Sequence, residues 1–185
     1  MHTQNITAQQ ALQRLKDGNA AYMRAEKNPG DISAALRAYT QEHGQQPYAV
    51  VVACSDSRVV PEHIFSAGLG ELFVIRVAGN VMAEHQFGSV EYAAEHLGCP
   101  LLVILGHTNC GAVGAAIHDE PGGYVHFLTD EIRKAIGGET DDYRASCLNV
   151  KRGVEITKKA LPIASAGLTV VGAVYHIGDG RVEFL

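Results

Sequence analysis

The run Leu101-Leu102-Val103-Ile104-Leu105-Gly106-His107-Thr108-Asn109-Cys110-Gly111 begins with five consecutive apolar residues and then supplies a histidine and a cysteine. Five residues are too few for a stable isolated helix, and the run is rich in branched side chains. It therefore reads as a strand buried on both faces, as in a parallel sheet. The strand is predicted to stop at Gly106, leaving His107 and Cys110 just past its carboxyl end on the turn into the next helix. In open α/β sheets that edge is where sites are built.

A His-x-x-Cys pair is half of a metal site, and the other half lies upstream. Tyr48-Ala49-Val50-Val51-Val52-Ala53 is a second apolar, β-branched run, and it leads into Cys54-Ser55-Asp56-Ser57-Arg58. If the two strands are parallel neighbours, Cys54, His107 and Cys110 converge at one edge. Two thiolates and one imidazole are soft ligands that suit zinc, and three protein ligands leave a fourth tetrahedral position open, as in catalytic sites. Asp56 can then occupy that position or accept a hydrogen bond from what is bound there. Arg58, always charged and bidentate, can hold Asp56 off the metal.

The whole chain is compatible with that chemistry. Its 185 residues are 46% hydrophobic with a formal charge of -5, which suits one domain with a sizeable core. Residues 1–45 are expected to form a helical amino-terminal arm and residues 46–185 an α/β core. No basic cluster offers a footprint for nucleic acid or an anionic membrane. The apolar runs are far shorter than a membrane span, and the polar start Met1-His2-Thr3-Gln4-Asn5 does not read as a signal peptide, so a soluble cytoplasmic protein is expected. The cysteines at positions 54, 99, 110 and 147 are expected as reduced thiols, Cys99 and Cys147 buried or idle.

Along the chain, Thr7 is predicted to cap a helix over residues 8–24, interrupted at Gly18-Asn19, and a weaker helix spans 32–42 after a turn at 28–31. A short helix at 61–66, a strand at 71–77 and a helix at 87–97 precede the run described first. Beyond Cys110 come a small-residue helix, a turn at 119–123, helices at 125–136 and 143–161, and a strand at 168–177. Gly178-Asp179-Gly180 then turns into a closing hairpin strand. Strands alternating with helices predict an α/β fold with a central, mainly parallel β-sheet flanked by helices.

The two motifs together, Cys54-Ser55-Asp56-Ser57-Arg58 and Gly106-His107-Thr108-Asn109-Cys110-Gly111, resemble those of the β-class carbonic anhydrases. The likeness extends to Leu15-Lys16-Asp17-Gly18-Asn19, to Phe73-Val74-Ile75-Arg76-Val77-Ala78-Gly79-Asn80 and to Gly172-Ala173-Val174-Tyr175, and is weakest over 117–150. The resemblance implies one zinc ion per subunit on Cys54, His107 and Cys110. It implies a zinc-bound hydroxide that converts carbon dioxide to bicarbonate, with Asp56 and Arg58 as a dyad beside it. Two thiolates cancel more of the metal's charge than imidazoles do, so the bound water is expected to ionise above the pKa of about 7 of a three-histidine site, with hydration favoured at alkaline pH.

The family has an open state and a state in which the aspartate closes the metal. In the open type a glutamine, a phenylalanine and a tyrosine line the substrate pocket, which is completed across a subunit boundary. The matching residues are Gln45, Phe73 and Tyr92, and a homo-oligomer, dimer or tetramer, is implied. The tryptophan of the regulatory bicarbonate site is replaced by Val51, and the chain has no tryptophan. The open type I site is therefore expected. His96, one helical turn beyond Tyr92, is the candidate for proton transfer. Gly79-Asn80 and Gly111 are expected to serve backbone needs. With the resemblance set aside, Phe73 and Tyr92 read as plain core residues and Gln45 as a solvated loop residue. The competing functions are a carbonyl sulfide or carbon disulfide hydrolase on the same scaffold, and a non-catalytic zinc or redox module.

Overall fold

Thr7 opens the first helix with a reciprocal cap: its hydroxyl accepts from the Gln10 amide at 3.2 Å, and the Gln10 side chain accepts from the Thr7 amide at 2.8 Å. The helix, α1 (Ala8–Tyr22), ends two residues short of the predicted boundary. Its buried stripe is Ala11, Leu15 and Asn19. Asn19 does not interrupt the helix. Its Nδ2 donates to the carbonyls of Ile64 at 3.2 Å and Gly180 at 2.8 Å, and its Oδ1 accepts from the Val182 amide at 2.9 Å. A second helix, α2 (Ala34–His43), is capped by Ser33, whose hydroxyl accepts from the Leu36 amide. The computed structural model describes residues 6–25, 27, 30–119, 122–161 and 167–185. The turns expected at 28–31 and 119–123 lie partly outside the described residues.

The core elements follow in the order β1 (Ala49–Ala53), α3 (Pro61–Ile64), β2 (Leu72–Arg76), a 3₁₀ turn (Ala78–Asn80), α4 (Glu84–Glu95) and β3 (Leu101–His107). Next come α5 (Gly111–Ile117), α6 (His126–Ile136), α7 (Asp142–Ala160), β4 (Thr169–Tyr175) and β5 (Val182–Phe184). The strands form one sheet in the order β2-β1-β3-β4-β5. The first three pairings are parallel, and β5 closes the sheet antiparallel to β4. The α/β sheet flanked by helices is therefore what forms. Among the described residues no helix is long and apolar enough to cross a membrane.

Every residue of β1 and β3 is buried because both faces of the sheet are covered. Ala49, Val51, Ala53, Leu101, Val103 and Leu105 pack toward α1 and α3, against Leu15, Ile64 and Phe65. Val50, Val52, Leu102 and Ile104 pack toward α4 and α7, against Val90, Ala93 and Val150. Each fully buried branched side chain contributes about 1.5–3 kcal/mol. Helix α4 begins at Glu84, ahead of the predicted residue 87, with no side-chain cap; the acidic residue in its first turn complements the positive end of the helix dipole.

One difference from the sequence reading bears on the site. Strand β3 does not stop at Gly106, because the ladder to β4 continues through Gly106↔Val174 and His107↔Tyr175. His107 is thus the last strand residue and is positioned by backbone pairing rather than by a loop. Gly106 is required there by close approach: a Cβ would sit 2.6 Å from Val150 Cγ2 of α7. Gly172, which pairs with Ile104 in the same ladder, would meet Val150 Cγ1 at the same 2.6 Å. Gly106→Ala is expected to cost about 1–3 kcal/mol of unfolding free energy, read from urea denaturation. A Val150→Ala background is expected to recover much of that loss, and an equal loss in both backgrounds would count against this contact as the cause.

Candidate metal centre

Parallel pairing of β1 with β3 brings the ends of both strands to one edge. Cys54 follows β1, His107 ends β3, and Cys110 is the residue at which α5 begins. All three are buried, and their ligand atoms lie within 4.8 Å of one another. A tetrahedral zinc ion with ordinary bond lengths needs its ligand atoms roughly 3.3–3.8 Å apart. His107 Nδ1 lies 2.9 Å from the Thr108 carbonyl, which can only accept, so Nδ1 carries the proton and Nε2 presents a lone pair. Nε2 is buried without a hydrogen-bond partner. An orphaned imidazole nitrogen between two thiols is a zinc donor set, and the residues fit that ion.

The sulfurs are prepared for such a charge. Cys54 Sγ accepts from the amides of Gly79 at 3.3 Å and Asp56 at 3.4 Å. A hydrogen bond from the Cys110 thiol, aided by those two amides, outweighs burial and holds the Cys54 thiol well below its ordinary value. Cys110 moves the other way, raised by its hydrogen bond to Cys54 and by burial. Cys99 stands apart: it donates to the Pro47 carbonyl, and burial pushes it up to about 12. Cys147 is likewise outside the cluster, and all four thiols are free.

Asp56 is gripped by Arg58 through three N–H groups. Arg58 Nη2 donates to Oδ2 at 2.7 Å, and its Nε and backbone amide donate to Oδ1 at 3.0 and 2.9 Å. The guanidinium bonds hold the Asp56 carboxyl well below the usual carboxylate range. Arg58 Nη2 also donates to the Asn109 carbonyl at 3.2 Å, tying the dyad to the loop that carries Cys110. Asp56 Oδ2 lies 4.0 Å from His107 Nε2, at the edge of the cluster.

Several residues that the sequence reading did not single out fix this geometry. Arg76, at the end of β2, donates through Nε to the Cys54 carbonyl at 3.2 Å and through Nη2 to the Asp56 carbonyl at 2.7 Å. Helix α7 contributes Asp142, whose carboxylate accepts from the Asn109 amide at 2.7 Å. It also contributes Ser146, whose hydroxyl donates to the His107 carbonyl, and Asn149, whose Nδ2 donates to the Gly79 carbonyl at 2.8 Å. The signals were present: a charged residue ending an apolar strand, and polar residues spaced along one buried face of a helix. Gly79 does adopt a left-handed conformation, with φ +70°, and Asn80 follows at φ +45°. Gly111 needs neither, since it has no positive φ and nothing lies within 4 Å of a Cβ placed there.

With that geometry in hand, a family model described as carbonic anhydrase matches residues 49–182. A Coccomyxa β-carbonic anhydrase, solved in complex with acetazolamide, superposes with a TM-score of 0.69 and 28% identity over 84% of this chain and 86% of that one. The chain belongs to the β-carbonic anhydrase family. It is 38% identical to a carbonic anhydrase of Mycolicibacterium smegmatis over 94% of this chain and 91% of that protein. A tetrameric β-carbonic anhydrase of the ascomycete Sordaria macrospora matches with a TM-score of 0.68 and 29% identity, over 82% of this chain and 90% of that one.

Within the chain of this carbonic anhydrase, the remaining candidates stand away from the Cys-His-Cys cluster. Phe73 pairs with Val50, four residues before Cys54, a span of about 13 Å along a strand. Phe73, Tyr92 and His96 form their own stack, with ring centroids 6.2 Å apart for the first pair and 5.2 Å for the second. Tyr92 is 47% exposed and Gln45 is exposed on the segment entering β1. The chain thus joins Cys54, His107, Cys110, Asp56 and Arg58 in one cluster, and Phe73, Tyr92 and His96 in another. Gln45 joins neither.

Proposed function

We propose that this carbonic anhydrase catalyses the reversible hydration of carbon dioxide to bicarbonate and a proton at a zinc ion held by Cys54, His107 and Cys110, with the fourth position open. The observation that carries the open reading is the grip of Arg58 on Asp56, which engages both carboxylate oxygens and restrains the group from swinging onto the metal, while Oδ2, with one bond from Arg58, keeps a lone pair for the reacting water. A zinc ion bound there supplies the Lewis acidity that ionises a water molecule near neutral pH. Asp56, kept ionised, accepts a hydrogen bond from the reacting water and orients it toward the substrate carbon. Arg58 and Arg76 hold the Asp56 carboxylate and backbone in place, and the hydrogen bond of His107 Nδ1 to Thr108 fixes the imidazole tautomer.

Carbon dioxide is apolar, and the Phe73–Tyr92 surface with Gln45 suits it. Because those residues stand apart from the cluster within one chain, we assign them to the pocket of a neighbouring copy, in a homodimer or homotetramer of single-domain subunits. His96, stacked on the exposed Tyr92, is the group that passes the proton toward solvent. The zinc-loaded protein is expected to hydrate carbon dioxide in stopped-flow measurements at about pH 7 and faster at about pH 8.5, and to release sulfide from carbonyl sulfide slowly or not at all. Turnover confined to the higher pH would indicate an aspartate-closed site. Fast sulfide release with slow hydration would reassign the enzyme to carbonyl sulfide or carbon disulfide, and silence with both substrates would leave a non-catalytic zinc module.

A further inference from the structure

An open cleft of about 550 Å3 lies between the start of α4, α6 and α7, floored by Met82, Phe87 and Ile156. At its inner end is a cavity of about 10 Å3, bounded by Asn80, Asn149 and Arg152, which admits about one water-sized group. The two spaces share the walls Met82, Glu131, Arg152 and Ile156. None of the Cys-His-Cys cluster, Asp56 or Arg58 lines either space.

Two donors at the inner end have nothing to accept them. Asn80 Nδ2 and Arg152 Nε are buried without a hydrogen-bond partner, and Asn80 is only 3% exposed. Asn149, the third polar wall, is already satisfied by the Gly79 carbonyl. Buried donors left unpaired are costly, and both residues line the inner cavity, so an acceptor placed there would answer them. The acidic wall residue Glu131 is neutralised by Lys134 at 2.5 Å, and the rim lysine Lys159 by Glu155 at 2.5 Å. Of the charges that remain, Glu84 lines only the outer cleft, whereas Arg152 lines the inner cavity as well, so the guanidinium is the charge at the inner end left for a ligand, and beside it lies an apolar floor.

We propose that this cleft is a second binding site, taking a small carboxylate with an aromatic or branched aliphatic body. One carboxylate oxygen accepts from Asn80 Nδ2 and Arg152 Nε, and the body lies on Met82, Phe87 and Ile156. Asn80 ends the turn whose Gly79 amide donates to Cys54 Sγ, so the ligand head rests against the support of the metal centre. The site depends on neither the zinc ligand set nor the hydration reaction.

The test is a titration of phenylacetate into the zinc-loaded protein, followed by methyl NMR of Met82 and Ile156. Saturable shifts of both methyls are expected, with affinity falling about tenfold or more in Arg152→Gln, the loss of one charge-assisted hydrogen bond. Ile156→Trp, which fills the floor, is expected to weaken binding as well, with Met82 as the reporter. Benzyl alcohol, a ring without the carboxylate, should shift the same methyls only weakly. The proposal is overturned if phenylacetate leaves both methyls unmoved, whether because water keeps the inner cavity or because a second copy of the chain closes the cleft. It is also overturned if Arg152→Gln binds as tightly as the parent, or if benzyl alcohol binds as well as phenylacetate.

Discussion

Replacing His107 with alanine is expected to remove zinc retention and carbon dioxide hydration together. The variant should leave dialysis against a mild chelator with little zinc, while the parent keeps about one ion per chain, and its hydration rate should fall at least about a thousandfold. The reason lies in the donor geometry. His107 supplies the one nitrogen of the cluster, and its Nε2 has no other partner to satisfy it. The backbone at this position does not depend on the ring: His107 stays in the ladder opposite Tyr175, and its carbonyl accepts from Ser146. The variant should therefore fold, and its circular dichroism should match that of chelator-stripped parent protein. A His107→Ala protein that holds zinc at parental affinity would overturn the ligand assignment.

Asp56→Ala is expected to separate metal binding from turnover. The carboxylate is not needed to hold the ion, so zinc content should remain at the parental level. Hydration should fall about a hundredfold or more, the range associated with loss of a positioned proton acceptor. Arg58→Ala should produce a smaller loss by a different route, because it frees the carboxylate that three N–H groups now restrain. With the restraint gone, Asp56 can move onto the metal, and hydration should become steeply dependent on alkaline pH. Unchanged turnover in Asp56→Ala, with zinc bound, would end the role assigned to the dyad.

The residues whose function rests on their own local sequence were legible before any coordinates. Cys54 and the His107–Cys110 pair each follow an unbroken apolar run, and such runs report strands buried on both faces, hence parallel neighbours with a shared edge. Thr7 announced the start of α1 in the same direct way. What periodicity does not report is a side chain whose partner is a distant backbone group. Asp142, Ser146 and Asn149 look like ordinary polar positions of a helix, yet each hydrogen-bonds a loop or strand end more than 30 residues upstream. Arg76 was hidden for the same reason. The length of β3 was misjudged because Gly106 reads as a breaker until Val150 is seen seated against it. Gln45, Phe73 and Tyr92 were singled out by resemblance alone; one chain does not hold them at the metal, and the pocket role proposed for them requires a neighbouring copy.

Asn19 carries a consequence for how the molecule is made. Its side chain is complete only when Ile64, Gly180 and Val182 surround it, the last two about 160 residues later in the chain. During synthesis from the amino end, α1 emerges first but has no finished seat until the β4–β5 hairpin exists. At about 5–20 residues per second, that interval lasts on the order of ten to thirty seconds. Until then the Ala11–Leu15 stripe has only the earlier-made α3 and β3 region to rest on, and the Asn19 side chain stays unfinished. The seat of α1 is thus completed by the final strand pair, and a full set of Asn19 hydrogen bonds reports that this pair is in place.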